Sequence, residues 1–245
     1  MQLHLHPDAQ VLGETAGKEA AALIRTKVAS HDTANLVIGS DPGLILTLHT
    51  LAKAPGIKWE KVTVFQLSEF IGVPPNHRAS NRKFLEENFL SKVQGLKKSI
   101  LINGETIVSD ELKRLNLAIQ ETHIDIAILG IGDKAQVGFN SAPADIKTES
   151  PYLMVETDDD TGKSLVEAGL FRSLNEVPRR AFTMSIHQVL RSKHIICPVS
   201  SGKKAVAIRN IQNSDYDTRL PVSALRHHPG FNLHLNMEPG SLNQV

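Results

Sequence analysis

The chain has 245 residues, 41% hydrophobic and 22% charged, with a formal net charge of +1. That balance predicts an ordinary globular protein with a sizeable core, and the lack of basic excess excludes nucleic acid as an expected partner. No apolar run approaches the ~18 residues of a membrane span, so no membrane partner is expected.

Composition marks no seam along the chain, so residues 1–245 are read as one domain. Cys197, the single cysteine, has no partner for an intramolecular disulfide. The Met1 to Val11 start has neither a positive flank nor an apolar run, which makes the cytoplasm the expected compartment. Gln2 to His6 alternates polar and apolar residues like a short edge strand. Asp8 then offers an N-cap to a helix whose apolar face includes Val11, Leu12, Ala16, Ala20, Leu23, Ile24 and Val28.

Asn35 to Ile38 is the next short strand. It ends at Gly39-Ser40-Asp41-Pro42-Gly43, after which Leu44, Ile45, Leu48, Leu51 and Ala52 recur at helical spacing. Asp41 followed by Pro42 has the pattern of an N-cap before a first helical position. Lys61 to Leu67 is a β-rich strand running into a loop forced by Gly72, Pro74 and Pro75, and Ser80 caps a helix through Phe89. A further strand is expected at Ser99 to Ile102 and a helix at Asp110 to Gln120.

The organising stretch is Ile124 to Pro143, in which the buried-looking strand Ile124 to Leu129 stops at Gly130 and Gly132. Beyond it, Tyr152 to Val155 and Ala181 to Ile186 read as strands, and the acidic run Asp158, Asp159, Asp160 between them reads as solvated loop. His194 to Val199 and Phe231 to Leu235 close the set of strands, with a helix at Ser201 to Ile211 between them. Strands alternating with helices over the whole length predict an α/β fold with a doubly wound, mainly parallel sheet and helices on both faces. In such a sheet ligands gather outside the carboxyl ends of the strands, which directs attention to the Gly39 and Gly130 turns.

Several segments together resemble the glucosamine-6-phosphate deaminase (isomerase) family, which is related to 6-phosphogluconolactonase. Gly39-Ser40-Asp41-Pro42 resembles its phosphate loop, QLSEFIGVPPNHRASNRKFLEENF its NMDEYVGLP segment with the helix that follows, and GIGDKAQVGFN its GxGxDGHIAFNE segment. VPRRAFTMSI, SSGKKAVAI and LPVSALRHHP resemble later blocks, so the likeness runs in order along nearly the whole chain. It implies the family fold, a sugar or sugar phosphate as ligand, no cofactor, and binding positions at Gly39, Ser40, Asp41, Gly132, Asn140 and Lys204.

The resemblance also implies a departure in chemistry. In that family an aspartate of the DEY segment abstracts a carbon-bound proton, and an Asp, a His and a Glu of the second segment assist ring opening. Here those four positions are Ser68, Lys134, Gln136 and Ser141. A serine hydroxyl is no carboxylate base without an activating partner, and a glutamine amide has no proton to exchange near neutral pH. Each acid or base role is typically worth about 10² to 10⁴ in rate. The lactonase resembles the deaminase in relying on the histidine replaced by Gln136.

Glu69, Phe139, Asn140 and Lys204 match the family, and Glu69 is the remaining candidate for a catalytic acid or base. The family's phosphate-binding arginine falls at Ala168, with Arg172 nearby. Lys134 is open to a second reading as a nucleophile if desolvated. His187, His194, His227, His228 and His234 have no metal-ligand spacing of the HExxH type and no cysteine cluster, so they read as core or surface histidines and no metal is expected, and Ser200-Ser201-Gly202-Lys203 lacks the spacing of a nucleotide-binding loop. The expectation is therefore a sugar-phosphate isomerase-type protein with a degenerate site, acting in binding or regulation or on an altered substrate. A working isomerase using Glu69 and a non-catalytic scaffold are the alternatives, and self-association is left open.

Overall fold

The structure is a computed structural model and describes residues 1–132, 134–200 and 216–236. Among these, seven parallel strands form one sheet in the order β1-β10-β9-β6-β2-β3-β5. They are β1 (Gln2–His6), β2 (Ala34–Ile38), β3 (Val62–Gln66), β5 (Lys98–Ile100), β6 (Ile126–Ile128), β9 (His194–Val199) and β10 (Phe231–Asn236). The order reverses between β2 and β6. From β2 the chain winds outward through β3 to β5, and from β6 it winds the other way through β9 to β10. That reversal places the Gly39 turn and the Gly130 turn side by side at the switch point, where a crevice opens.

Strand alternation divides the core in two. Leu36, Ile38, Val64, Ile126 and Ile128 point to one face and meet Ala16, Ala20 and Ile24 of α1 (Ala9–His31), Leu48 and Leu51 of α2 (Ile45–Lys53), and Leu85 of α3 (Asn81–Asn88). Val37, Phe65, Ala127 and Ile195 point to the other face. There they meet Leu115 and Ile119 of α4 (Val108–Gln120) and Val189 of α6 (Ile186–Leu190). Buried on both faces, the central strands need the continuous aliphatic runs that the sequence supplies.

Asp8 caps α1 by accepting from the Val11 N–H, and Ser80 caps α3 by accepting from the Lys83 N–H. The expected cap at Asp41 also forms, although Pro42–Leu44 is a 3-10 turn that leads into α2.

Other expectations need correction. Tyr152 to Val155 and Ala181 to Ile186 do not extend the parallel sheet. They form β7 (Tyr152–Glu156) and β8 (Arg180–Met184), which pair antiparallel with β4 (Ser68–Phe70) in a separate three-stranded sheet, order β4-β8-β7. Leu67 joins the two sheets, since its N–H donates to the Ile38 carbonyl and its carbonyl accepts from the Met184 N–H. The predicted strand end at Ser185 and Ile186 is instead the start of α6, because the Ser185 hydroxyl accepts from the Gln188 N–H. The acidic run is no loop either: Asp158 caps α5 (Asp159–Glu167), with Asp159 and Asp160 in the first turn, where negative charge suits the helix dipole. The helix expected at Ser201 to Ile211 lies outside the described residues.

Candidate functional site

A cavity of about 190 Å³ opens at the switch point. Its floor is made by Gly39, Ser40, Asp41 and Pro42 after β2 and by Gly130 and Gly132 after β6. Leu67, Ser68 and Phe70 form one wall, and Gln136, Gly138 and Phe139 of the loop after β6 form another. Asn81 at the start of α3 and Leu165 on α5 complete the rim.

Glycine is needed where the turns touch. A methyl group on Gly130 would stand 2.5 Å from the Asp41 Cβ, and one on Gly132 would stand 2.1 Å from the Gln136 amide carbon. Asp41 thus lies across Gly130 with its carboxylate accepting from the Gly43 N–H at 2.7 Å. This is a donor that the start of a helix would otherwise offer to an anion.

Each of the four positions at which the resemblance implies a missing acid or base has a hydrogen-bond or ion-pair partner within the chain. Ser68 is buried, and the Asn81 amide donates to its carbonyl at 3.0 Å and to its hydroxyl at 3.3 Å. The Gln136 side chain folds over Gly132 and its oxygen accepts from the Lys134 N–H at 2.9 Å. Ser141 donates its hydroxyl proton to Asp158 at 2.7 Å. Lys134 is exposed and pairs with Asp160 at 3.2 Å, so it lacks the desolvation a nucleophilic lysine requires.

Glu69 is buried and outside the cavity wall. One oxygen accepts from the Phe70 and Asn81 N–H groups at 2.9 and 3.1 Å. The other accepts from the Arg82 N–H at 2.7 Å, the Ser80 hydroxyl at 3.0 Å and the Gln66 amide at 3.3 Å. Burial raises its affinity for a proton, opposed by the Arg82, Asn81 and Phe70 N–H groups. Geometrically it is an internal anion at the N-terminus of α3.

Of the six binding positions expected, Gly39, Ser40, Asp41 and Gly132 line the cavity. Asn140 does not. Its amide donates to the Val137 and Met184 carbonyls, both at 2.8 Å, and it borders a neighbouring cavity of about 470 Å³ between residues 139–145 and β7. Gly72 of the loop after β4 donates its N–H to the Gly104 carbonyl and does not line the cavity. Lys204 lies outside the described residues. Ala168 and Arg172 do not line the cavity.

Asn81, Asp158 and Leu165 were not singled out from sequence as site residues. The signal for Asn81 was its place just after the Ser80 cap. For Asp158 it was Thr161 three residues on, the spacing of a capped first turn. Burial works against ionisation of Asp158, but the Thr161 N–H and the Ser141 and Thr161 hydroxyls outweigh it and hold the carboxyl below its ordinary range.

Comparison with known proteins agrees with this architecture. The sequence profile described as "Glucosamine-6-phosphate isomerases/6-phosphogluconolactonase" matches residues 7–233. A glucosamine-6-phosphate deaminase of Thermoanaerobacter pseudethanolicus is 29% identical over 236 residues, covering 94% of this chain and 91% of the relative. That of Bacillus pumilus is 30% identical over 235 residues, covering 94% and 96%. Among solved structures, a monomeric glucosamine-6-phosphate deaminase superposes with a TM-score of 0.86 at 23% identity, covering 99% of this chain and 100% of that one. A 6-phosphogluconolactonase from Shewanella baltica gives 0.81 at 16% identity, covering 97% and 98%.

Proposed function

The chain belongs to the glucosamine-6-phosphate isomerase and 6-phosphogluconolactonase family, and from that premise we propose that its cleft holds a sugar or sugar phosphate without deaminating, isomerising or hydrolysing it. One observation carries this reading. Among the described residues lining the cavity, Asp41 is the one ionisable side chain. Moving a proton from carbon, or opening a sugar ring, asks for an acid and a base within hydrogen-bond reach of the reacting atoms. Asp41 is already committed to the Gly43 N–H. The remaining polar side chains, Ser40, Ser68, Asn81 and Gln136, are hydroxyls and amides that bind sugar hydroxyls well but do not exchange protons at neutral pH. The protein then serves in sensing or regulation, or in chemistry that its ligand brings with it.

A working isomerase using Glu69 has one observation in its favour, the raised proton affinity of that buried carboxyl. Against it stands the direction of both oxygens, which face donors of β4 and α3.

The test is a paired assay. Thermal unfolding is followed with glucosamine 6-phosphate, galactosamine 6-phosphate and 6-phosphogluconate, each beside its unphosphorylated sugar, while ammonia release and lactone hydrolysis are measured on the same preparation. A ligand at 100 times its Kd stabilises by about 2.7 kcal/mol, which at this chain length raises the midpoint by roughly 5–10 °C. The expected result is stabilisation with turnover no faster than buffer. Turnover clearly above buffer overturns the proposal, and neither stabilisation nor turnover leaves the scaffold alternative.

A further inference from the structure

Away from the cleft, the parallel pairing of β1 with β10 sets His4 directly beside His234 and brings Asn232 opposite Gln2. His6, two residues along the same face of β1, also reaches His234, and Glu19 on α1 covers the group from above. We propose that His4, Glu19 and His234 form a binding site for a divalent transition cation of zinc's type, which fastens the edge strand β1 to β10 and α1.

Ligand identity is the first argument. Two imidazoles and a carboxylate are a donor set suited to zinc and its neighbours and unsuited to magnesium or calcium, which prefer oxygen alone. One donor atom from each of the three residues lies within 4.8 Å of the other two. Zinc bonds of about 2.0–2.2 Å in a tetrahedron put donor atoms roughly 3.3–3.5 Å apart, so closure asks for about 1 Å of movement. The pair His234 Nε2 and Glu19 Oε2 is already at 2.9 Å. His4 supplies the movement, being a partly exposed side chain on an edge strand.

The surroundings are arranged as a metal site requires. A ligating histidine normally has its second ring nitrogen held by a partner, and His234 Nδ1 lies 3.1 Å from His6 Nε2. The carboxylate is held in turn by the Asn232 amide, which donates to Glu19 Oε1 at 2.7 Å. Bound metal takes the Nε2 lone pair of a neutral His234, whose single proton then sits on Nδ1 and is donated to His6 Nε2 at 3.1 Å. His234 is fully buried, whereas His4 and Glu19 are partly exposed and leave an entry path with room for water as a further ligand.

Hydrogen bonding alone accounts for Glu19 and His6 but not for His4. Its ring stacks on His234 at 4.6 Å and 17°, and its hydrogen bond to Asn232 is a long 3.4 Å. A cation gives that third imidazole its role.

The test uses the full chain freed of metal by chelator and dialysis. Zinc is titrated by calorimetry and by competition with a chromophoric chelator, on the unaltered protein and on His4→Gln and Glu19→Gln. Gln at position 19 keeps an acceptor oxygen for His234. Expected are one equivalent of zinc, a zinc-dependent rise in the unfolding midpoint, and a loss of affinity of at least about 10- to 100-fold in each variant, since removing even an outer partner costs that much. Cobalt added to the unaltered protein gives a reading that needs no variant: visible bands of a four- or five-coordinate nitrogen and oxygen site, displaced by one equivalent of zinc. No saturable site at one equivalent, or no such bands, overturns the proposal. So does undiminished zinc binding in both variants, which would assign the metal to other histidines.

Discussion

Replacing Glu69 with glutamine separates a structural carboxylate from a reacting one. The carboxylate satisfies three backbone N–H groups, those of Phe70, Asn81 and Arg82, together with the Ser80 hydroxyl and the Gln66 amide. An amide in its place has one acceptor oxygen, and its NH₂ group must face donors. Turned one way it strands the Phe70 and Asn81 N–H groups. Turned the other it strands the Arg82 N–H and the Gln66 amide. Two buried donors without acceptors cost about 1–3 kcal/mol each, and relief from burying a charge returns part of this, leaving a loss of about 2–4 kcal/mol. For a chain of this length that lowers the unfolding midpoint by roughly 5–15 °C. Urea unfolding measures the loss, and calorimetric titration of any sugar ligand below the new midpoint should give an affinity within a few-fold of the parent. Unchanged stability together with the abolition of a measurable turnover would refute this reasoning and make Glu69 the reacting base.

Two further substitutions probe the cleft and its rim. Asp41→Thr keeps a cap for the turn at Pro42, so stability should fall by at most about 1 kcal/mol. Removing a carboxylate near the bound anion should tighten sulfate or a sugar phosphate about fivefold or more, taking ~1 kcal/mol for unit charges at ~4 Å in a water-like dielectric. Unchanged or weaker anion affinity by calorimetry would mean that Asp41 does not oppose anions there. Asp158→Ala removes the cap of α5 and should cost about 1 kcal/mol at neutral pH. The folded carboxyl of Asp158 lies below its ordinary value of 3.8. Its stabilising effect is therefore present above that value and is lost as pH falls through the lower, folded one. The gap between parent and variant should stay flat from pH 7 to about pH 5 and shrink below about pH 4, and urea midpoints that keep a constant gap would exclude this linkage.

The parallel sheet was legible because its strands are short aliphatic runs that stop at glycine, as at Ile38-Gly39 and Leu129-Gly130. The second sheet was not, because Leu67 passes from β3 to β4 with no turn residue to mark the change of partner. α5 was hidden by its own cap: three aspartates in a row look solvated until the first is seen to accept from the Thr161 N–H. In the site, sequence located the turns that make the floor, since glycine and the cap residue Asp41 are local signals. It could not show that Glu69 faces α3 or that Ser141 and Lys134 reach α5, because those partners are set by packing between elements. His4, Glu19 and His234 are the extreme case. Local spacing among histidines carries no trace of them, and they meet only because the two ends of the described chain pair in parallel.

Two of the four positions at which the resemblance implies a missing acid or base are tied to one helix. Lys134 and Ser141 both engage the first turn and cap of α5, through Asp160 at 3.2 Å and Asp158 at 2.7 Å. The exposed ion pair contributes little, about 0–1 kcal/mol, but the hydroxyl donating to a partly buried carboxylate is of the stronger, charge-assisted kind. Together they fasten the loop after β6 to the helix that carries Leu165 to the cavity rim. The Phe70 and Phe139 rings, 4.6 Å apart and tilted by 58°, give the same rim an aromatic side. A ligand entering this cleft would therefore meet the apolar carbon of Leu67, Phe70, Phe139 and Leu165 interleaved with the polar groups of Ser40, Ser68, Asn81 and Gln136 and the carboxylate of Asp41. That combination matches a sugar ring, whose C–H face packs on aromatic and aliphatic carbon while its hydroxyls both donate and accept. On the function proposed above, Lys134 and Ser141 hold the wall in place, and the selectivity expected of the cleft is for shape and hydroxyl pattern.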